Sequence, residues 1–226
     1  IPIVALHIGK IYEGKKTPAD DKKAIDVYST YAKKYKAGPR VVEAYSRLSM
    51  LLMNAGKKTN KRRILANFKE TLSAFTKLDG AAITAEAKFF AAQAAFMSTE
   101  YLFDEFQAVT LDAKSTRQLK KLLVSKAKLH QQLEKTYQTI LDYKSLHWNA
   151  ACLFRIGLLY YDFARALLDA PIPDSLDPDQ EDEYRFALEQ VAGPVEEKSL
   201  TAFGYALRLA HEKGTYNEWS KLSAEY

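Results

Sequence analysis

Apolar residues along this chain return every third or fourth position. Ile25, Tyr28, Tyr31 and Tyr35 form one stripe, and Val42, Tyr45, Leu48, Leu52 and Met53 form another. Leu119, Leu122, Leu123, Leu129, Leu133, Tyr137 and Leu141 form a third, over a longer stretch. That spacing puts each set on one face of a helix, and no segment alternates with period two for long enough to suggest a strand. The pattern predicts about nine or ten helices joined by short links.

The breaks between stripes carry helix start and stop signals. Thr17-Pro18-Ala19-Asp20 reads as an N-cap, a proline in the first turn and an acid closing the box. Asp177-Pro178-Asp179-Gln180 repeats that scheme. Gly38-Pro39, Gly56, Asp79-Gly80, the Asp112 to Ser115 region and Gly214 mark further ends, and Ser145 precedes the stretch containing Trp148. Gly193-Pro194 repeats the Ala-Gly-Pro junction of residues 37–39 and predicts another break. Residues 170–178 hold three prolines and cannot be helical throughout, so a protruding loop is expected there.

Composition agrees with a helical chain. Of 226 residues, 47% are hydrophobic, enough for a sizeable core, and 9 Gly and 7 Pro are few for an all-β protein. The 14 Tyr suit half-buried positions, where the ring packs and the hydroxyl stays wet. The net charge of +5 fits an acidic partner or an anionic surface without demanding either. The single cysteine, Cys152, has no partner for an internal disulfide and sits in an apolar run, as a small buried hydrophobe would. No apolar run could span a bilayer. Ile1-Pro2-Ile3-Val4 and the helical pattern reaching Tyr226 suggest an excised portion of a longer repeat protein.

One signature recurs. Ala5-x-x-Ile8-Gly9-x-x-Tyr12 is followed by Ala24-x-x-x-Tyr28. Tyr45-x-x-Leu48-Ser49-x-x-Leu52 leads past Gly56 to Ile64-x-x-x-Phe68, and Leu153-x-x-Ile156-Gly157-x-x-Tyr160 repeats the first half. A small residue among large ones lets two antiparallel helices approach closely. These motifs resemble the tetratricopeptide repeat, a helix–turn–helix unit of about 34 residues. The family's glycine stands at Gly9 and Gly157 and is Ser49 in the second unit. Its tryptophan position holds Ala5, Tyr45 and Leu153, and its alanine is kept at Ala24 but replaced by Ile64. The resemblance implies an all-α solenoid of antiparallel helix pairs with degenerate repeats, residues 1–226 forming a single helical-repeat domain.

The stretch from Leu153 to Ala164, the Pro171/Pro173 loop, Pro194-Val195-Glu196-Glu197-Lys198 and Gly214-Thr215-Tyr216-Asn217-Glu218-Trp219 is similar to repeat-rich cell-envelope proteins of deltaproteobacteria, gliding-motility proteins among them. This implies a periplasmic scaffold in a multiprotein envelope complex, with the cytoplasm as the alternative compartment. The groove positions implied by the family are Leu6, Lys10 and Glu13, then Ser46, Met50 and Met53, then Phe154, Leu158 and Tyr161. Met50 and Met53 suit varied apolar ligands.

Residues suited to chemistry are scattered. His7, His130, His147 and His211 have no metal-ligand spacing, and no Gly-x-Ser-x-Gly elbow or phosphate-cradling glycine loop occurs. The acidic run Asp177 to Glu183 lacks the glycine of a calcium loop and reads as a helix start favoured by the dipole. No catalysis, cofactor or metal is therefore expected, and the partner is a protein or peptide. The rival reading is a basic helical nucleic-acid-binding module. It rests on Lys57-Lys58-Thr59-Asn60-Lys61-Arg62-Arg63 and on the basic helix from Lys114 to Lys135, which contains Arg117, Lys120, Lys121, Lys126 and Lys128. Neither stretch interleaves aromatics as single-strand binders do.

Overall fold

The computed structural model describes residues 2–113 and 115–226. Ile1 of the opening tetrapeptide and Lys114, where the basic helix is expected to begin, lie outside the described residues. Among those described there are nine α-helices and no strand. They are α1 (Pro2–Gly14), α2 (Pro18–Lys34), α3 (Pro39–Gly56), α4 (Lys61–Thr76), α5 (Ala85–Ala108), α6 (Thr116–Leu141), α7 (Leu146–Leu168), α8 (Pro178–Lys213) and α9 (Glu218–Ser223), with a single 3-10 turn at Gly80–Ala82. None of the described helices is long and apolar enough to cross a membrane.

The starts of the helices follow the capping residues. The Thr17 hydroxyl accepts the Asp20 amide at the head of α2. Asp177 and Gln180 form a full reciprocal box at the head of α8, so the first acid of the run 177–183 is used as a cap. Asn217 and Ser220 do the same for α9. Gly214 ends α8 in the left-handed region, φ 61. Residues 169–177, with Pro171 and Pro173, separate α7 from α8 without helix, as expected, and the third proline, Pro178, opens α8.

Two compact units are present. The first holds the residues before Thr99 with Tyr143–Ser145, and the second holds Thr99–Asp142 with Leu146–Tyr226. The boundary falls within α5. In the first unit α1 packs on α2, α2 on α3 and α3 on α4. Its core includes Tyr28, Val41, Val42, Ile64, Phe68 and Phe96, all fully buried. In the second unit α6 packs on α7, and α7 meets α8 and α9. Leu133, Tyr137, Ile140 and Leu159 are fully buried there, and so is Cys152.

The Gly193-Pro194 break does not occur: α8 runs through it for 36 residues. At Gly38-Pro39 the glycine has φ 106, which turns the chain, whereas Gly193 stays within ordinary helical backbone. Pro194 removes the amide that would have met the Gln190 carbonyl, and its ring crowds that carbonyl. Ala192 on one side and Ser199, Ala202 and Phe203 on the other are buried, and that packing carries the helix through the proline. Pro194→Ala is expected to stabilise the chain by about 1–3 kcal/mol, because interior proline costs up to roughly 3 kcal/mol. Urea unfolding measures this, and an unchanged midpoint would mean that water serves the Gln190 carbonyl fully.

Candidate functional site

The glycines of the recurring signature work as close-approach points in each unit. A side-chain carbon added at Gly9 on α1 would lie 2.5 Å from the Tyr28 ring on α2. One added at Gly157 on α7 would lie 2.5 Å from the Phe203 ring on α8. In both cases a glycine on one helix lies beneath an aromatic ring of the next.

A second device also occurs once per unit. In the first, the Tyr28 hydroxyl donates to Glu13 at 2.7 Å, and Arg47 donates to the same carboxylate at 3.0 Å. Glu13 is on α1, Tyr28 on α2 and Arg47 on α3. The Arg47 guanidinium lies 5.2 Å from the Phe90 ring on α5 and also donates to Glu43 at 2.7 Å. Burial works against its charge, but the Glu43 hydrogen bond and the Glu13 and Glu43 carboxylates outweigh that and raise its pKa. Burial, then the bond to Glu13, pushes the Tyr28 hydroxyl up. Lys10 pairs with Glu43 at 2.6 Å, and Ser46 donates to Gln93 on α5 at 2.7 Å. The odd-numbered helices of this unit are thus bridged by polar side chains.

In the second unit the Tyr137 hydroxyl on α6 donates to Glu100 on α5 at 2.9 Å. Arg155 on α7 reaches the same carboxylate with two bonds of 3.0 Å from its Nε. Its guanidinium lies 4.9 Å from the Phe103 ring and 5.6 Å from the Trp219 ring on α9. Burial again opposes the Arg155 charge and is outweighed by Glu100, so its pKa rises. The order of parts is the same in both units: Glu, Tyr and Arg on three successive helices, with the arginine capped by an aromatic from two helices further on.

The nine groove positions fall into three classes. Leu6, Ser46, Phe154 and Leu158 are buried, and their side chains serve packing or the Ser46–Gln93 bond. Lys10, Glu13, Met50 and Met53 are half-buried, and Lys10 and Glu13 belong to the ion-pair network. Tyr161 is exposed, with the Tyr226 ring 5.1 Å away. That ring also stacks on Phe203 at 5.0 Å and approaches Phe154 at 6.1 Å.

The basic helix needs a correction. Lys126 is buried, and its ammonium donates to the Phe106 and Val109 carbonyls at 3.1 and 2.8 Å, above the Phe106 ring. It caps the chain where α5 ends, sharing the Phe106 carbonyl with the Val109 amide, and so is withdrawn from any basic surface. Arg117, Lys120, Lys121 and Lys128 remain exposed. His130 is half-buried among Phe106, Tyr160 and Phe163, and burial lowers its pKa. Among the described residues no three His, Cys, Asp or Glu side chains are placed to share a metal ion.

The sequence reading missed Glu43, Glu100 and Arg155 as partners. Glu43 and Arg155 are lone charges in apolar stretches, Val41-Val42-Glu43-Ala44 and Leu153-Phe154-Arg155-Ile156, whereas Glu100 follows Ser98-Thr99 and carries no such mark. A charge in an apolar stretch signals a buried partner, since unpaired burial is so costly. No protein-family model matches the chain, and no curated protein or solved structure does so either.

Proposed function

We propose that this chain is a non-catalytic protein-interaction scaffold of degenerate, tetratricopeptide-like helix pairs. The observation that carries the reading is the repeated Glu–Tyr–Arg clamp, present once in each unit on successive helices. Glu13 and Arg47 are 34 residues apart, the length of one repeat of that family, whereas Glu100 and Arg155 are 55 apart, so the second unit is the more degenerate. Stacked helix pairs offer extended surfaces to protein partners. Met50, Met53 and Tyr161 are the groove positions still open to a ligand. The envelope and motility assignment rests on the sequence similarity around Leu153–Ala164 and residues 194–219, and it makes the partner another subunit of that complex.

Photo-crosslinking residues at Met53 and Tyr161, in cells that carry the natural partners, are expected to trap one discrete protein. The same residue at Lys69 on α4, exposed and outside the groove positions, should trap none. The nucleic-acid reading is tested in parallel by titrating random DNA at physiological salt. Binding no tighter than about 10⁻⁴–10⁻⁶ M is expected, the nonspecific range for any basic surface. A tighter, salt-steep interaction lost on neutralising Arg62 and Arg63 would replace the scaffold by the nucleic-acid module.

A further inference from the structure

The modest net charge hides a strong division. The first unit carries 19 Lys and Arg against 8 Asp and Glu, a net +11, and the second carries 14 against 20, a net −6. Each unit also leaves one helix face apolar and open. On α1, Val4, Ile8 and Ile11 are 48%, 41% and 62% exposed at helical spacing. Beside them is an open groove of about 410 Å³ lined by Ala5, Ile8, Val27, Tyr31 and Tyr35, with one charge of each sign, Asp26 and Lys34, in its lining. On α8, Phe186, Leu200 and Leu207 are exposed on a face shared with Gly193 and Gly204. Nothing lies within 4 Å of a side-chain carbon built at either glycine. Asp182, Glu189 and Glu197 stand on that same face.

We propose that a second copy of this chain docks its α1 face on the α8 face of the first, in a heterologous, head-to-tail contact. Apolar surface and charge both select this pairing. One isoleucine of α1, Ile8 or Ile11, seats at one of the open glycines of α8, and Leu200 lies against the α1/α2 groove, as ridges fit grooves between packed helices. The acids of the α8 face meet a unit of net +11, which steers the two together. An α1–α1 contact would set basic units against each other, and an α8–α8 contact would oppose the acids.

Sedimentation velocity on the wild-type chain, from low to high micromolar concentration, should show growth beyond the dimer that weakens with added salt. Ile11→Glu and Leu200→Glu each remove one face at an exposed position and should weaken self-association at least about tenfold. The first variant keeps an intact α8 face and the second an intact α1 face. Their mixture should therefore form a heterodimer that grows no further. Circular dichroism checks that both variants keep their helices, and the wild-type series stands whether or not they do. A wild-type chain that stays monomeric throughout overturns the proposal. So does a mixture that stays monomeric, or association that only one of the two substitutions weakens.

Discussion

Replacing Arg155 by alanine should lower stability by about 3–5 kcal/mol, with a matching fall in the melting temperature. Arg155, Glu100 and Tyr137 join three helices of the second unit, and both ionic side chains are largely buried. Removing the guanidinium leaves the Glu100 carboxylate desolvated and without its cation, though still bonded by the Tyr137 hydroxyl. The cost is that of a stranded charge and far exceeds the net worth of the pair. Glu100→Leu combined with Arg155→Met should therefore recover most of the loss, since apolar isosteres of a buried pair often come close to neutral. Urea unfolding of the single and double variants gives the comparison. A loss below about 1 kcal/mol for Arg155→Ala would place the pair in solvent, and the repeated clamp would cease to support the scaffold reading.

The second large effect is expected at Gly157. Leucine there should destabilise the chain by about 1–3 kcal/mol, as overpacking does. The first carbon of any side chain would meet the Phe203 ring at 2.5 Å. That ring cannot swing aside cheaply, because it is buried, stacks on Tyr226 and lies 5.8 Å from Phe154. The Ser199 hydroxyl also donates to the Gly157 carbonyl at 2.9 Å, which holds α8 close. Even alanine should cost stability here, against the usual gain of roughly 1 kcal/mol when a helical glycine becomes alanine. Gly157→Ala with Phe203→Leu should be less damaging than the two single costs added together. Thermal melts of these variants decide it, and a Gly157→Leu chain as stable as wild type would overturn the close approach of α7 and α8.

What the sequence disclosed was local. Periodicity and capping residues located the helices because both are written within one turn of the chain, as at Thr17 and Asp177. Both glycines meet a ring of the following helix, but Tyr28 is only 19 positions from Gly9 and appeared in the same quoted motif, whereas Phe203 is 46 positions from Gly157 and left no local mark. Pro194 misled because proline reports a missing amide, and the burial of Ala192 and Phe203 on either side decides what the helix does. Lys126 misled similarly: its place in the series of lysines says nothing of the carbonyls at and just past the end of α5 that it serves. The groove positions carried over from the repeat family give a face of a helix but no accessibility, which is why Leu6, Ser46, Phe154 and Leu158 proved to be buried.

Cys152 gives the second unit a clock. Its thiol is fully enclosed on α7, and burial, then the Glu100 charge, pushes its pKa well up. Thiolate, the form that alkylating reagents attack, is scarce while α7 stays packed. Labelling must then wait for a transient opening that wets the helix. When reclosure outpaces labelling, the rate reports the fraction of time that the unit spends open, and when labelling outpaces reclosure it reports the opening rate itself. One native sulfur atom, with no residue introduced, separates how deep this unit's energy well is from how high its wall stands.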